Sequence, residues 1–389
     1  MGWAFVWLAW IGCRGFDNTA PFLEVRGPVG PVKVMAEFTI KVHDAQTAVR
    51  RLMVTVDDDR SEIITLPKGA SPHELGWVLG LASLSQGPHM VRFTAFDDAL
   101  VANTAEAEIS IDVDRIPPDL ELHRPSLQVG QGRTGVVWVR AKGEPLEKAV
   151  IRFGDDREPM FEVNGAFRSL RGVPIRAEVG PLPFVITAED QAGNASRIEG
   201  ALTVVETAFE EGGFIKLTAK QKRKRKDKAA LREMRRERDE AYAVRTLEQR
   251  WREPFLLPVK DGEFTSPFGK FRTYSDGRKD HHTGLDLSKE QGAPILAPAE
   301  GRVLLAKPQA IFGNVVILDH GHGVTTSYNH LASIGVDVGD VVKRGQTIAT
   351  LGSTGQSTGP HLHWSMVVGD DAVDPGQWLQ EDFSTAPFR

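Results

Sequence analysis

The sequence predicts a mainly β, multidomain protein: two sandwich-sized strand units, a charged helical linker and a strand-rich C-terminal body. Three observations predict it. A strand-and-turn pattern is duplicated between residues 17 and 207, a run of charged helix formers follows, and histidines crowd into the final third. At 389 residues the chain is too long for one ordinary domain. Its 41% hydrophobic and 25% charged content leaves core material in normal supply.

The first element is residues 1–16. The stretch Gly2 to Gly12 is eleven apolar residues rich in Trp, Phe and Leu. Crossing a bilayer takes about 20 residues, so this stretch fits the hydrophobic part of an export signal. Trp10-Ile11-Gly12-Cys13 resembles a lipoprotein signal, which implies export to the periplasm or cell envelope and membrane attachment through a lipidated Cys13. Cys13 is the single cysteine, which excludes an intrachain disulfide and a cysteine-based metal site.

Residues 17–114 and 115–207 are the two strand units. Asp17 to Val25 parallels Asp114 to Leu122 at an offset of 97, and Phe93 to Asp97 parallels Ile186 to Asp190 at an offset of 93. A period near 95 is the size of a β-sandwich domain. Glu37 to Val42 and Glu108 to Val113 alternate apolar and polar residues, as half-buried strands do. Ala188 to Asn194 resembles the final hairpin of bacterial immunoglobulin-like domains, which implies two immunoglobulin-like sandwiches. Their histidines, His43, His73, His89 and His123, are scattered and form no catalytic cluster.

The linker covers residues 208–253. Lys216 to Arg252 carries 15 Lys/Arg against 6 Asp/Glu, a local +9 in a chain of net −5. Leu217 to Arg252 contains neither Pro nor Gly, and Ala241, Val244, Leu247 and Trp251 recur at helical spacing. The spacing predicts a solvated helix with a weakly apolar C-terminal stripe. Its basic cluster, Lys222 to Lys226, suits an anionic surface. It also mimics a nuclear localisation signal, but the surrounding sequence does not suit a nucleus, and no nucleic-acid partner is expected.

The C-terminal body, residues 254–389, carries the chemistry. Seven of eleven histidines fall between His281 and His363. In His282-Thr283-Gly284-Leu285-Asp286, read as extended chain, an imidazole and a carboxylate share a face that Gly284 leaves open. His281 points the other way. In His361-Leu362-His363 two imidazoles share one face of a strand. Tyr328-Asn329-His330 ends the strand-like run from Val324. These supply four histidines and one aspartate, more than the three protein ligands of a catalytic zinc, and spacing alone does not say which two stay free. A second pair, His320 and His322, sits in a Gly-punctuated turn and is read as exposed and structural.

The order of these motifs resembles the lysostaphin-type, or LytM, zinc metalloendopeptidases from about Phe264 to Pro375. The likeness includes Ala297-Pro298-Ala299-Glu300-Gly301, Gly313-Asn314, Gly345-Gln346 and Gly352-Ser353-Thr354-Gly355. The resemblance implies an antiparallel β-sheet peptidase domain in which His282, Asp286 and His363 hold Zn2+ and His330 and His361 are the free catalytic histidines. It further implies hydrolysis of peptide cross-links or stem peptides of bacterial peptidoglycan. The alternative is a catalytically silent regulator of a cell-wall amidase, a reading that intact ligands oppose. Val338 to Gln346 also resembles hairpins of biotinyl and lipoyl carrier domains, which have no use for this histidine set.

Overall fold

The computed structural model of the chain describes residues 19–67, 72–99, 102–123 and 126–388. Cys13 and the 1–16 segment lie outside these residues. No helix among the described residues is long and apolar enough to cross a membrane. The architecture is mainly β, built from several sheets, with two helices in the charged segment and one short helix near the end.

The described chain divides into two compact units. The first comprises residues up to Asp119 with Ala141–Lys148 and Ala188–Ser196; the second holds Leu120–Arg140, Ala149–Thr187 and Arg197–Arg389. In the first unit, a three-stranded sheet orders Phe22–Arg26, Met35–His43 and His73–Gly80. A five-stranded sheet orders Pro31–Val32, Thr104–Val113, Gly87–Asp97, Val49–Val56 and Arg60–Thr65. The predicted alternation is real: Phe38, Ile40 and Val42 are buried while Glu37 and Thr39 are exposed. These side chains meet Leu52, Phe93 and Ile111 in one apolar core.

The main sheet of the second unit positions the histidines. Its strands run Glu263–Ser266, Leu285–Ser288, Leu362–Val368, Val324–Leu331, Gly313–Asp319, Gly301–Gln309 and Val341–Val342, with Asp371–Val373 paired to Leu362–Val368. All these pairings are antiparallel. One face buries Leu285, Leu287, Leu362, Trp364 and Tyr328 with Trp251, Phe255 and Trp378. Alternation along the strands therefore turns Asp286, His363 and Asn329 to the opposite face.

The linker differs from the expected continuous helix. Helix α1, Ala219–Lys226, opens on a Thr218/Gln221 capping box and stops at Asp227. Asp227 then caps helix α2, Lys228–Tyr242, by accepting from the Ala230 amide. α2 is not solvated throughout. Met234, Arg238 and Ala241 are buried, with Ala241 against Leu305, Val315 and Ile317. Arg238 donates to Asn329 Oδ1 at 3.2 Å and Ser327 Oγ at 3.1 Å.

Candidate metal centre

Register brings the functional side chains into a row. Asp286 is paired across the ladder with His363, His363 with Asn329, and Ser266 with Asp286. Cross-strand neighbours on one face stand about 5 Å apart, so this pairing alone puts carboxylate beside imidazole. His282 arrives from outside the ladder, because Lys279–His281 ends one residue earlier and the next strand starts at Leu285. The extended reading of His282 to Asp286 is thus wrong in its backbone, yet the two side chains still meet. Gly284 permits a close approach to the neighbouring strand: a Cβ there would lie 2.7 Å from His363 Cε1, Ser365 Oγ and the Trp364 carbonyl.

His282 Nε2, His363 Nδ1 and Asp286 Oδ1 converge. Nitrogen to nitrogen is 2.8 Å, His363 to Asp286 is 2.9 Å, and His282 to Asp286 is 3.0 Å. All three residues are buried. Each has its outward atom tied down. His282 Nδ1 donates to the Pro267 carbonyl at 2.8 Å, which leaves a lone pair on Nε2 in the neutral ring. His363 Nε2 meets Ser365 Oγ at 2.9 Å. Arg272 donates to Asp286 Oδ2 at 2.7 Å and to Ser266 Oγ at 2.6 Å. Three electron-rich atoms facing one another need a shared positive charge, and the guanidinium that pairs with Asp286 takes its other oxygen. Two imidazoles and a carboxylate are a donor set that metal ions bind.

Electrostatics agree with cation binding. Burial opposes ionisation of Asp286, but the hydrogen bonds and charges of His282 and His363 outweigh it and hold the carboxyl well below its ordinary range. Burial lowers His363 to about 4 against the opposing pull of Asp286, so the ring is neutral and able to ligate near pH 7.

Two more imidazoles border the centre. His361 Nδ1 donates to the Gly359 carbonyl at 2.9 Å, and its Nε2 lies 3.9 Å from Asp286 Oδ1. His330 Nδ1 donates to the Thr354 carbonyl at 2.9 Å. The His330 ring stands 5.0 Å from that of His361 and 6.0 Å from that of His363. Burial, then the neighbouring His363 and His361, lowers His330 to about 3, so it is neutral at pH 7. His330 also has φ of +66°, a left-handed conformation that costs a non-glycine residue energy and recurs at functional sites.

The five predicted residues therefore gather in one place. His281 is not among the converging donors, and its Nδ1 donates to the Gly269 carbonyl at 2.8 Å. Sequence reasoning missed Arg272, whose strand Phe271–Tyr274 offered no motif. It missed Ser365 too, although the i, i+2 spacing from His363 was a usable signal. The centre opens into a groove of about 650 Å³ lined by Arg225, Lys270, Arg278, Tyr274 and Phe312 among others. Helix α1 forms part of its rim, with Arg225 donating to Gln356 at 2.6 Å and Gln221 to the Ser357 carbonyl at 3.2 Å.

The sheet, the three converging donor atoms and the two flanking imidazoles form an arrangement of the kind that holds a metal ion beside proton-transfer groups. Residues 280–375 match the model of peptidase family M23, and the C-terminal part of this chain is an M23, LytM-type peptidase domain. Over 118 residues the chain is 42% identical to an uncharacterized metalloprotease of Haemophilus influenzae, covering 30% of this chain and 25% of that protein. Over 113 residues it is 38% identical to the peptidoglycan DD-endopeptidase ShyB of Vibrio cholerae, covering 29% and 26% respectively. The chain thus spans about a quarter of the length of these relatives. Among solved structures, the catalytic domain of the antimicrobial peptidase lysostaphin from Staphylococcus simulans matches 31% of this chain and 95% of its own length. Its identity is 32% and its TM-score 0.28.

Proposed function

We propose that this chain is a zinc metalloendopeptidase that hydrolyses stem peptides or cross-links of bacterial peptidoglycan. The observation that carries the reading is the convergence of His282 Nε2, His363 Nδ1 and Asp286 Oδ1 beside two imidazoles whose other nitrogens are already engaged. The peptidoglycan substrate is taken from relatives such as the DD-endopeptidase, and the basic groove suits a peptide bearing free carboxylates.

His282, Asp286 and His363 would hold the zinc, which when bound polarises a carbonyl and lowers the pKa of a water to about 7. With Nδ1 of His361 and His330 donating to carbonyls, each ring presents a lone pair at Nε2. Both can therefore accept a hydrogen bond from a water. His361, beside Asp286, would take the proton of the attacking water, and the resulting imidazolium would return it to the leaving amine. His330, held neutral by burial, would orient the water without competing for its proton at rest. Arg272 and Ser365 position the ligands and touch no reacting atom.

The test is metal analysis and digestion of purified cell-wall sacculi with the full chain. About one zinc per C-terminal domain and release of soluble muropeptides are expected. Asp286→Ala should lose both metal and cleavage. Zinc retention without cleavage under any condition would replace this reading with that of a silent regulator.

A further inference from the structure

A second cluster of hard donor atoms, with no histidine in it, lies in the first unit. One carboxylate oxygen from each of Asp114, Glu144 and Asp190 lies within 4.8 Å of the others. They come from three segments: the exit of the strand Thr104–Val113, the turn before Leu146–Phe153, and the end of Gly180–Asp190. Among the described residues none of the three forms an ion pair. Like charges so close repel, and burial together with Asp114 and Asp190 raises the Glu144 carboxyl above its ordinary range.

The independent sign of a ligand is a pair of bare oxygens. Asp190 and Asn194 are 3% and 1% exposed, and among the described residues neither Asp190 Oδ2 nor Asn194 Oδ1 has a hydrogen-bond partner. Asn194 stands among the acids: its amide N–H donates to Asp190 Oδ1 at 2.9 Å and its Nδ2 donates to the Asp114 carbonyl at 3.2 Å. A buried carboxylate oxygen and a buried amide oxygen with nothing to accept from are each costly.

The sequence duplication supplies a control. Asp97 occupies the place of Asp190 in the first repeat, and its oxygens are closed. Oδ1 accepts from the Ala99 and Asn103 amides, and Oδ2 accepts from Asn103 Nδ2 at 2.7 Å. In the second repeat the asparagine turns its Nδ2 to a backbone carbonyl instead, which leaves two oxygens bare beside two further acids. The second repeat therefore combines open oxygens with the nearby carboxylates of Asp114 and Glu144.

We propose that Asp114, Glu144, Asp190 and Asn194 Oδ1 form a calcium site that clamps these three segments. Carboxylate and amide oxygens without nitrogen or sulfur suit a hard cation, and the irregular arrangement suits Ca2+ better than the strict octahedron of Mg2+. The inference is independent of the peptidase reading.

The experiment is calorimetric titration of CaCl2 into the full chain, first stripped of metal with EGTA, freed of chelator and reloaded with zinc, with thermal unfolding in parallel. A dissociation constant on the order of 0.1–1 mM and a higher Tm with Ca2+ are expected, with a weaker response to Mg2+. Glu144→Gln, on a half-exposed turn, should fold normally and weaken Ca2+ binding about tenfold or more, because ligand charge sets affinity. Asp190→Asn keeps an acceptor for the Asn194 amide and should abolish the Tm response. Sacculus cleavage and zinc content should stay unchanged in both variants. Absence of heat and of any Tm change at 10 mM CaCl2, or an equal response in wild type and both variants, would overturn the site.

Discussion

The C-terminal domain holds two His-x-His pairs of opposite character. His320 and His322 flank Gly321, whereas His361 and His363 flank Leu362. Burial does not separate the pairs, since His320, His322 and His363 are all buried. The fate of each ring's second nitrogen does. His320 donates from Nδ1 to the Glu300 carbonyl at 2.7 Å and accepts at Nε2 from Thr326 at 2.7 Å. His322 donates from Nε2 to the Leu247 carbonyl at 2.8 Å and accepts at Nδ1 from Arg168 at 2.6 Å. All four nitrogens are closed by protein. In the other pair, His361 Nε2 and His363 Nδ1 face the cluster around Asp286. A ring whose two ends are held by carbonyl, hydroxyl or guanidinium groups holds structure, and a ring with one end turned to the Asp286 carboxylate is aimed.

The largest effect expected from this contrast is catalytic. His361→Ala should keep its zinc and lose about 10²–10⁴ in turnover, the usual contribution of a positioned proton-transfer group. His320→Gln should keep both zinc and sacculus cleavage at 25 °C. Parallel metal analysis and initial rates check the pair. Equal losses in the two variants would erase the distinction drawn above.

The next effect is on stability. Burial lowers His320 to about 4, whereas the unfolded chain titrates near 6.5. Between those values the unfolded state binds a proton that the folded state does not. The contribution is therefore complete above pH 6.5, falls as pH drops through the window, and is exhausted near pH 4. Its ceiling is about 3 kcal/mol. Urea unfolding from pH 7 to 4.5 should show wild type losing stability faster than His320→Gln. Parallel slopes would mean that the ring is not held neutral. His322 is shifted in the same sense, by burial and by Arg168, and remains in both proteins.

The contrast also marks what the sequence could disclose. Alternation and duplicated strand motifs made the β architecture readable, and short motifs made the gathering of the five residues readable, because register then joined segments that were each locally recognisable. The reading of His320 and His322 as exposed failed for a tertiary reason. Residues 246–250 lie over their turn: the His322 amide donates to the Thr246 carbonyl, and the Arg250 amide to the His320 carbonyl. A Cβ on Gly321 would sit 1.7 Å from the Glu248 carbonyl oxygen. The same bonds explain why the helix stops at Tyr242 despite good propensity up to Arg252, since those backbone groups are used across the turn. Trp251 is then free to enter the core, while Leu247, assigned to the same stripe, is 76% exposed. Arg272 was illegible because its partner Asp286 lies on another strand, and no local spacing announces a cross-strand ion pair.

The smallest expected effect tests how far the aiming of a ring depends on its tied end. Ser365 Oγ meets His363 Nε2 at 2.9 Å, on the side away from the ligand cluster. With the proton held on Nε2, the lone pair at Nδ1 faces His282 and Asp286. Ser365→Ala leaves Nε2 without that partner, so the ring can rotate or change tautomer at little cost. Loss of such an outer hydrogen bond typically weakens metal affinity about 10–100-fold. Competition with a chromogenic zinc chelator should show a shift of that size, with cleavage restored by excess zinc. Ser365→Thr keeps the hydroxyl and should recover most of the affinity. An unshifted competition curve for Ser365→Ala would mean that the backbone register of Asp286 and His363 aims the ring unaided, and that the tied nitrogen is a consequence of the geometry.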